Sequence, residues 1–125
     1  MACADASDPA HGEAVAVRDS WLEGGGLFVT SDYVANETLT LLRIRLGIDA
    51  AETWWQQVDG SSRVRWEYVS LARADTARGL FFRYRDKNFS FTDCTSFAVM
   101  QRMKLGTAFT FDRHFMVMKF AVVPG

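Results

Sequence analysis

The chain has 125 residues, 49% of them hydrophobic and 23% charged, with a formal net charge of −1. That is the length and composition of one soluble globular domain with a real core, and no apolar run approaches a membrane span or a signal-peptide core. Cys3 and Cys94 are too few for a disulfide framework or a zinc site, so a reducing cytoplasm is the expected setting. The charge is unevenly spread. Residues 1–37 carry seven acidic side chains and one basic, and residues 38–125 carry eight and thirteen. Two readings stand: a mixed solvated surface, or an acidic site beside a basic rim that guides phosphates.

Asp8-Pro9 predicts a helix start, with Asp as N-cap and Pro at the first helical position. Ala10, Ala14, Val17 and Trp21 follow at helical spacing, and Gly24-Gly25-Gly26 ends the helix. Leu27–Thr30 reads as a short buried strand. Ser31 or Asp32 then caps a helix running to about Leu46, with Gly47 as its stop. On a helical wheel Glu37 falls among Tyr33, Leu41, Ile44 and Ile48, with Leu39, Leu42 and Leu46 on the other side. The helix is therefore expected to be buried on two faces. A carboxylate in that position needs a cation, an arginine or helix-end amides to receive it.

Asp49 and Glu52 have capping-box spacing for a short helix carrying Trp54 and Trp55. After the turn Asp59-Gly60-Ser61-Ser62, Val64–Val69 alternates as a strand, and a helix is expected from about Arg73 to Arg85. The stretch from Ser90 to Phe115, SFTDCTSFAVMQRMKLGTAFTFDRHF, organises the rest. Ser90 and Asp93 resemble a capping box, and Asp93 shares a helical face with Phe97 and Met100. Gly106 supplies a stop, Thr107–Phe111 reads as a strand, and Asp112 sits at its carboxyl end, where open α/β sheets bind ligands. Two acids converging there suggest a hard divalent cation. Phe115–Val123 is expected to add a last strand. Alternating helices and strands imply an α/β fold with a largely parallel sheet.

The strings TSDYVANETLTLLRIRLG, FFRYRDKNFSFTDCTSFAVMQRMKLGTAFTFDRHF and MKFAVVPG resemble the PIN-domain family, and more narrowly its VapC-like toxin ribonucleases. The resemblance covers nearly the whole chain and implies a single PIN-like domain over residues 1–125, a three-layer α/β/α sandwich around a mostly parallel sheet. It implies metal-dependent cleavage of RNA by acids that hold Mg²⁺ or Mn²⁺, one retained water being activated against the phosphodiester. Glu37, Asp93 and Asp112 match three of those acids. Asp86 matches another acid common near the site, and Thr95 and Ser96 are candidates to line it, or else local caps. Arg83, Arg85 and Lys87 are candidates for RNA-backbone contacts.

The family's opening strand, which is central in the sheet and ends in a further metal-binding acid, has no counterpart here. The expectation is of an N-terminally truncated domain with impaired activity. Trp54 and Trp55 are candidates for a groove accepting an antitoxin, and homodimerisation is a family expectation. His114 and His11 are read as surface residues. The alternative function is a non-catalytic PIN-like module that binds RNA or protein as a scaffold.

Overall fold

In the computed structural model, residues 3–124 are described, and the chain divides after Trp66 into two compact units. In the first unit, α1 (His11–Glu23) is followed by β1 (Phe28–Ser31), α2 (Asp32–Leu46), α3 (Ile48–Asp59) and β2 (Val64–Glu67), whose last residue opens the second unit. The strands β1 and β2 pair as a two-stranded sheet. In the second unit, α4 (Leu71–Arg83), α5 (Phe91–Met103), β3 (Thr107–Phe109), α6 (His114–Val117) and β4 (Ala121–Val123) follow in order. Strands β3 and β4 pair in parallel, Ala108 opposite Val122.

The helix starts and stops follow local chemistry, with informative departures. Asp8 does not cap α1 directly. Its carboxylate accepts from the Ala10 amide at 2.8 Å, a tight turn that delays the helix to His11. Asp5 is buried, and hydrogen bonds from the hydroxyl and amide of Ser7 hold its carboxyl below the usual carboxylate range. Ser31 caps α2, its hydroxyl accepting from Val34. The capping box at Asp49 and Glu52 does not form, because α3 begins two residues earlier than that box requires, straight after Gly47. Gly47 takes a left-handed φ of 101°, which lets two helices meet with no intervening loop. Gly26 is constrained by space: a Cβ there would lie 2.3 Å from the Trp21 indole, whose Nε1 donates to the Leu27 carbonyl.

The expected burial of α2 on two faces is corrected. The covered stripe is Ala35, Thr38, Leu39 and Leu42, a single i, i+3, i+4, i+7 face, with Ala35 and Leu42 fully buried. In the stripe containing Glu37, Tyr33 and Leu41 are half-buried, but Ile44 is 75% exposed and Ile48 is exposed too. Glu37 is itself exposed, so it carries no desolvation penalty to be relieved. Leu27 and Leu46 are also exposed.

The second unit has an aromatic core. Phe97 is fully buried, with the rings of Phe89 at 5.0 Å and Phe115 at 4.9 Å edge-on to it and Phe120 stacked at 6.1 Å. Ala77, Cys94, Met100 and Ala108 complete the cluster. Burial, with Asp93 nearby, raises the Cys94 thiol above its ordinary pKa, so it behaves as a small core hydrophobe. Two sequence readings change here. Helix α5 ends at Lys104 in a left-handed conformation, two residues before Gly106. The strand expected over Phe115–Val123 is a helical turn, α6, followed by the shorter β4. An Asp112 carboxylate bonded to the His114 amide starts that turn, which apolar composition alone does not reveal.

Ser90 is the cap on which the later geometry depends. Its hydroxyl accepts from the Asp93 amide and its own amide donates to Asp93 Oδ2, each at 3.0 Å. Ser90→Ala is expected to lower stability by about 1 kcal/mol, measured by denaturant unfolding.

Candidate metal centre

Asp93 is aimed by its own capping box. Because its Oδ2 accepts the Ser90 amide, the side chain is folded back over the first turn of α5, and Phe97 and Met100 one and two turns on bury the helix beneath it. Asp112 follows β3, its amide donating to Thr110 Oγ1 at 3.0 Å. Its Oδ1 accepts the His114 amide at 2.8 Å, and the Asp112 carboxylate and the His114 ring are thereby locked together.

These links bring three side chains to one point. His114 Nδ1 lies 3.3 Å from Asp93 Oδ2 and 3.2 Å from Asp112 Oδ1. One ligand atom from each residue falls within 4.8 Å of the others. The ring of His114 rests edge-on against Phe89 at 5.2 Å, so the same aromatic core that supports α5 orients the imidazole. The side chains are 17%, 38% and 34% exposed for Asp93, Asp112 and His114, mostly covered by protein yet each still reached by water.

The donor set suits a divalent cation. Carboxylate oxygens are hard ligands, and imidazole is accepted by manganese and later transition metals. Without a cation, the imidazole Nδ1 is within hydrogen-bond reach of both carboxylates, which keeps the three groups gathered. The reading of His114 as an ordinary surface residue is corrected. The signal was its position two residues after Asp112, where an Asx turn folds the chain back.

The remaining candidates fall elsewhere. Thr95 does not line the site: it is fully buried and its hydroxyl donates to the Thr92 carbonyl at 2.6 Å, inside the helix. Ser96 is half-buried on α5. Asp86 is exposed in the loop before Ser90, with Lys87 Nζ at 3.7 Å, and it is not among the three clustered residues. Arg83, Arg85 and Lys87 are exposed, and the Arg83 guanidinium lies over the Tyr84 ring. Glu37 stands in the first unit, in the second turn of α2.

No family profile matches the chain. The 23S rRNA-specific endonuclease VapC20 of Mycobacterium tuberculosis is 34% identical to it over 122 residues, 98% of this chain and 90% of the relative. The chain belongs to the VapC-like PIN-domain ribonucleases. Ribonuclease VapC26 of the same organism is 26% identical over 133 residues, covering 99% of this chain and 94% of the relative. The crystal structure of M. tuberculosis VapC20, described as a toxin that cleaves the sarcin-ricin loop, superposes with a TM-score of 0.86 at 32% identity. That match covers 96% of this chain and 89% of the VapC20 chain. The α/β fold expected from the alternation of elements is thus a VapC-like PIN fold. VapC-like membership also makes the chain an endoribonuclease, and among the described residues no helix is long and apolar enough to cross a membrane.

Proposed function

We propose that this VapC-like chain is a divalent-cation-dependent endoribonuclease, the toxin of a toxin–antitoxin pair, acting on a structured loop of ribosomal RNA. The observation that carries the metal dependence is the meeting of Asp93, Asp112 and His114 within 4.8 Å. In this reading Asp93 and Asp112 hold Mg²⁺ or Mn²⁺ through carboxylate oxygens, and Glu37 is assigned as a catalytic acid. Bound there, the cation would polarise a water for attack and stabilise the departing oxygen. The chain's own part is positional. Ser90 holds Asp93 in place, the Asp112–His114 turn holds the second acid, and Phe89 braces the imidazole. Arg83, Arg85 and Lys87, on the segment just before the site, neutralise RNA phosphates without reading sequence. Asp86 is assigned an auxiliary role at the rim.

The ribosomal target follows the two M. tuberculosis VapC20 descriptions, and the antitoxin is the partner that VapC-like toxins imply. Exposed Ile44 and Ile48 give the α2–α3 hairpin an apolar surface that suits such a partner or a second copy. The cytoplasm, where ribosomes and a reduced Cys94 coexist, is the proposed location.

The test is cleavage of a ribosomal RNA fragment containing a sarcin-ricin-type loop. Cleavage is expected with Mn²⁺ or Mg²⁺, to vanish in EDTA, and to return when the metal is restored. Cleavage that persists in EDTA overturns the metal-dependent reading. Glu37→Gln separates function from folding. Being exposed, it should change stability by no more than about 0.5 kcal/mol, while cleavage falls at least about tenfold.

A further inference from the structure

The second unit carries a recess whose lining includes Phe89 and Ser90, which flank the candidate metal centre. It holds about 430 Å³ and is lined by Phe81, Phe82, Arg85, Lys87, Asn88 and Phe89, with Ser90 at its edge. That volume lies within the range of small-molecule pockets. Phe82 is 60% exposed, so a face of its ring is open to a ligand in the recess. Phe81 stands edge-on to it at 5.5 Å and also to Phe91 at 5.9 Å, which fixes the Phe81 ring as a wall. Two residues of its lining also touch the centre described above. Phe89 backs it and touches the His114 ring, and the Ser90 amide holds Asp93.

An exposed aromatic ring beside two cations and an amide suits one kind of occupant. A nucleobase has two π-faces to lay on a phenylalanine, an edge that an asparagine amide can pair with, and phosphates on either side for arginine and lysine. An apolar protein segment would match the rings but not Arg85 and Lys87 on the rim. We propose that the recess takes one unpaired nucleobase of the RNA substrate, stacked on Phe82, with Arg85 and Lys87 on its flanking phosphates and Asn88 on its edge. This assignment rests on the ribonuclease reading and adds to it a base-binding subsite. Loop RNA, whose bases are free to splay out, is the substrate form that can fill it.

The experiment is steady-state cleavage of a hairpin RNA in Mn²⁺ by the full chain, its Phe82 variants, and RNAs made abasic at each loop position in turn. Phe82→Ala and Phe82→Leu are expected to raise KM about tenfold with kcat within threefold, and Phe82→Trp to stay near wild type. One abasic position should raise KM for the wild type by a similar factor and have no further effect on Phe82→Ala. Arg85→Ala should raise KM and flatten its salt dependence by about one ion. If Phe82→Ala and Phe82→Leu fold and cleave with unchanged KM, the subsite is overturned and the nuclease reading stands. If KM is unchanged while Phe82→Ala shifts the sedimentation mass, the ring serves a protein contact and the proposal also fails. A folded wild type that never cleaves would instead bring down the ribonuclease reading itself.

Discussion

Asp112→Asn should yield a folded protein that cleaves RNA at least about a hundredfold more slowly than wild type and binds Mn²⁺ much more weakly. The size follows from the geometry. Altering a residue that merely orients a ligand typically costs 10–100-fold in metal affinity or activity, and here a proposed ligand loses its charge. The asparagine can still accept the His114 amide through its side-chain carbonyl, so the turn that starts α6 is retained. Thermal unfolding should therefore move little. Asp93→Asn makes the parallel case, since an asparagine at that position can still accept the Ser90 amide of the capping box. Isothermal titration with Mn²⁺ beside single-turnover cleavage checks both. Full activity in either folded variant would remove that residue from the catalytic set.

Phe97→Ala should be the most destabilising single change in the second unit. Its ring is fully enclosed, with three other phenylalanine rings around it. Truncation removes the transfer free energy of a benzyl group and leaves a cavity that these flat, interlocked rings cannot easily close. A loss of about 3–5 kcal/mol is expected, against total stabilities of about 5–15 kcal/mol for domains of this kind. Urea unfolding measures it directly. Activity should fall with it for an identifiable reason. Phe89 and Phe115 sit against Phe97, Phe89 braces the His114 ring, and Phe115 is the residue after it. Loss of the central ring loosens the imidazole and the Asp112 turn together. Phe97→Leu, which leaves a smaller void, should cost less and retain more of the site.

Chemistry that acts over three or four residues was legible along the chain. The Ser90–Asp93 box, the Ser31 cap and the break at Gly47 need only neighbouring backbone and one side chain, and all three formed. The Asp49–Glu52 box shows the limit. The same residue types were present, yet helix α3 began at Ile48 and left the caps without ends to satisfy. Glu37 shows another. Its wheel offered two apolar stripes, and which one is covered depends on what lies against the helix, here on a face centred on Ala35 and Leu42. Nothing local to α2 distinguishes them. His114 was hidden for a related reason: its significance lies in Asp93, 21 residues away, and in a ring contact with Phe89.

Residue order carried the α/β alternation, the VapC-like membership and the identity of Asp93 and Asp112 as a pair of acids worth bringing together. These depend on residue order, local hydrogen bonding and motif, which can be read before it is known which surfaces meet. Tertiary structure alone decided that an imidazole stands between those acids, that Thr95 turns inward, that Glu37 faces out, and that Phe82 lies open beside Arg85 and Lys87. Each of these is a statement about which side of an element is covered. A helix or turn presents several faces of similar chemistry, and only long-range contacts select among them.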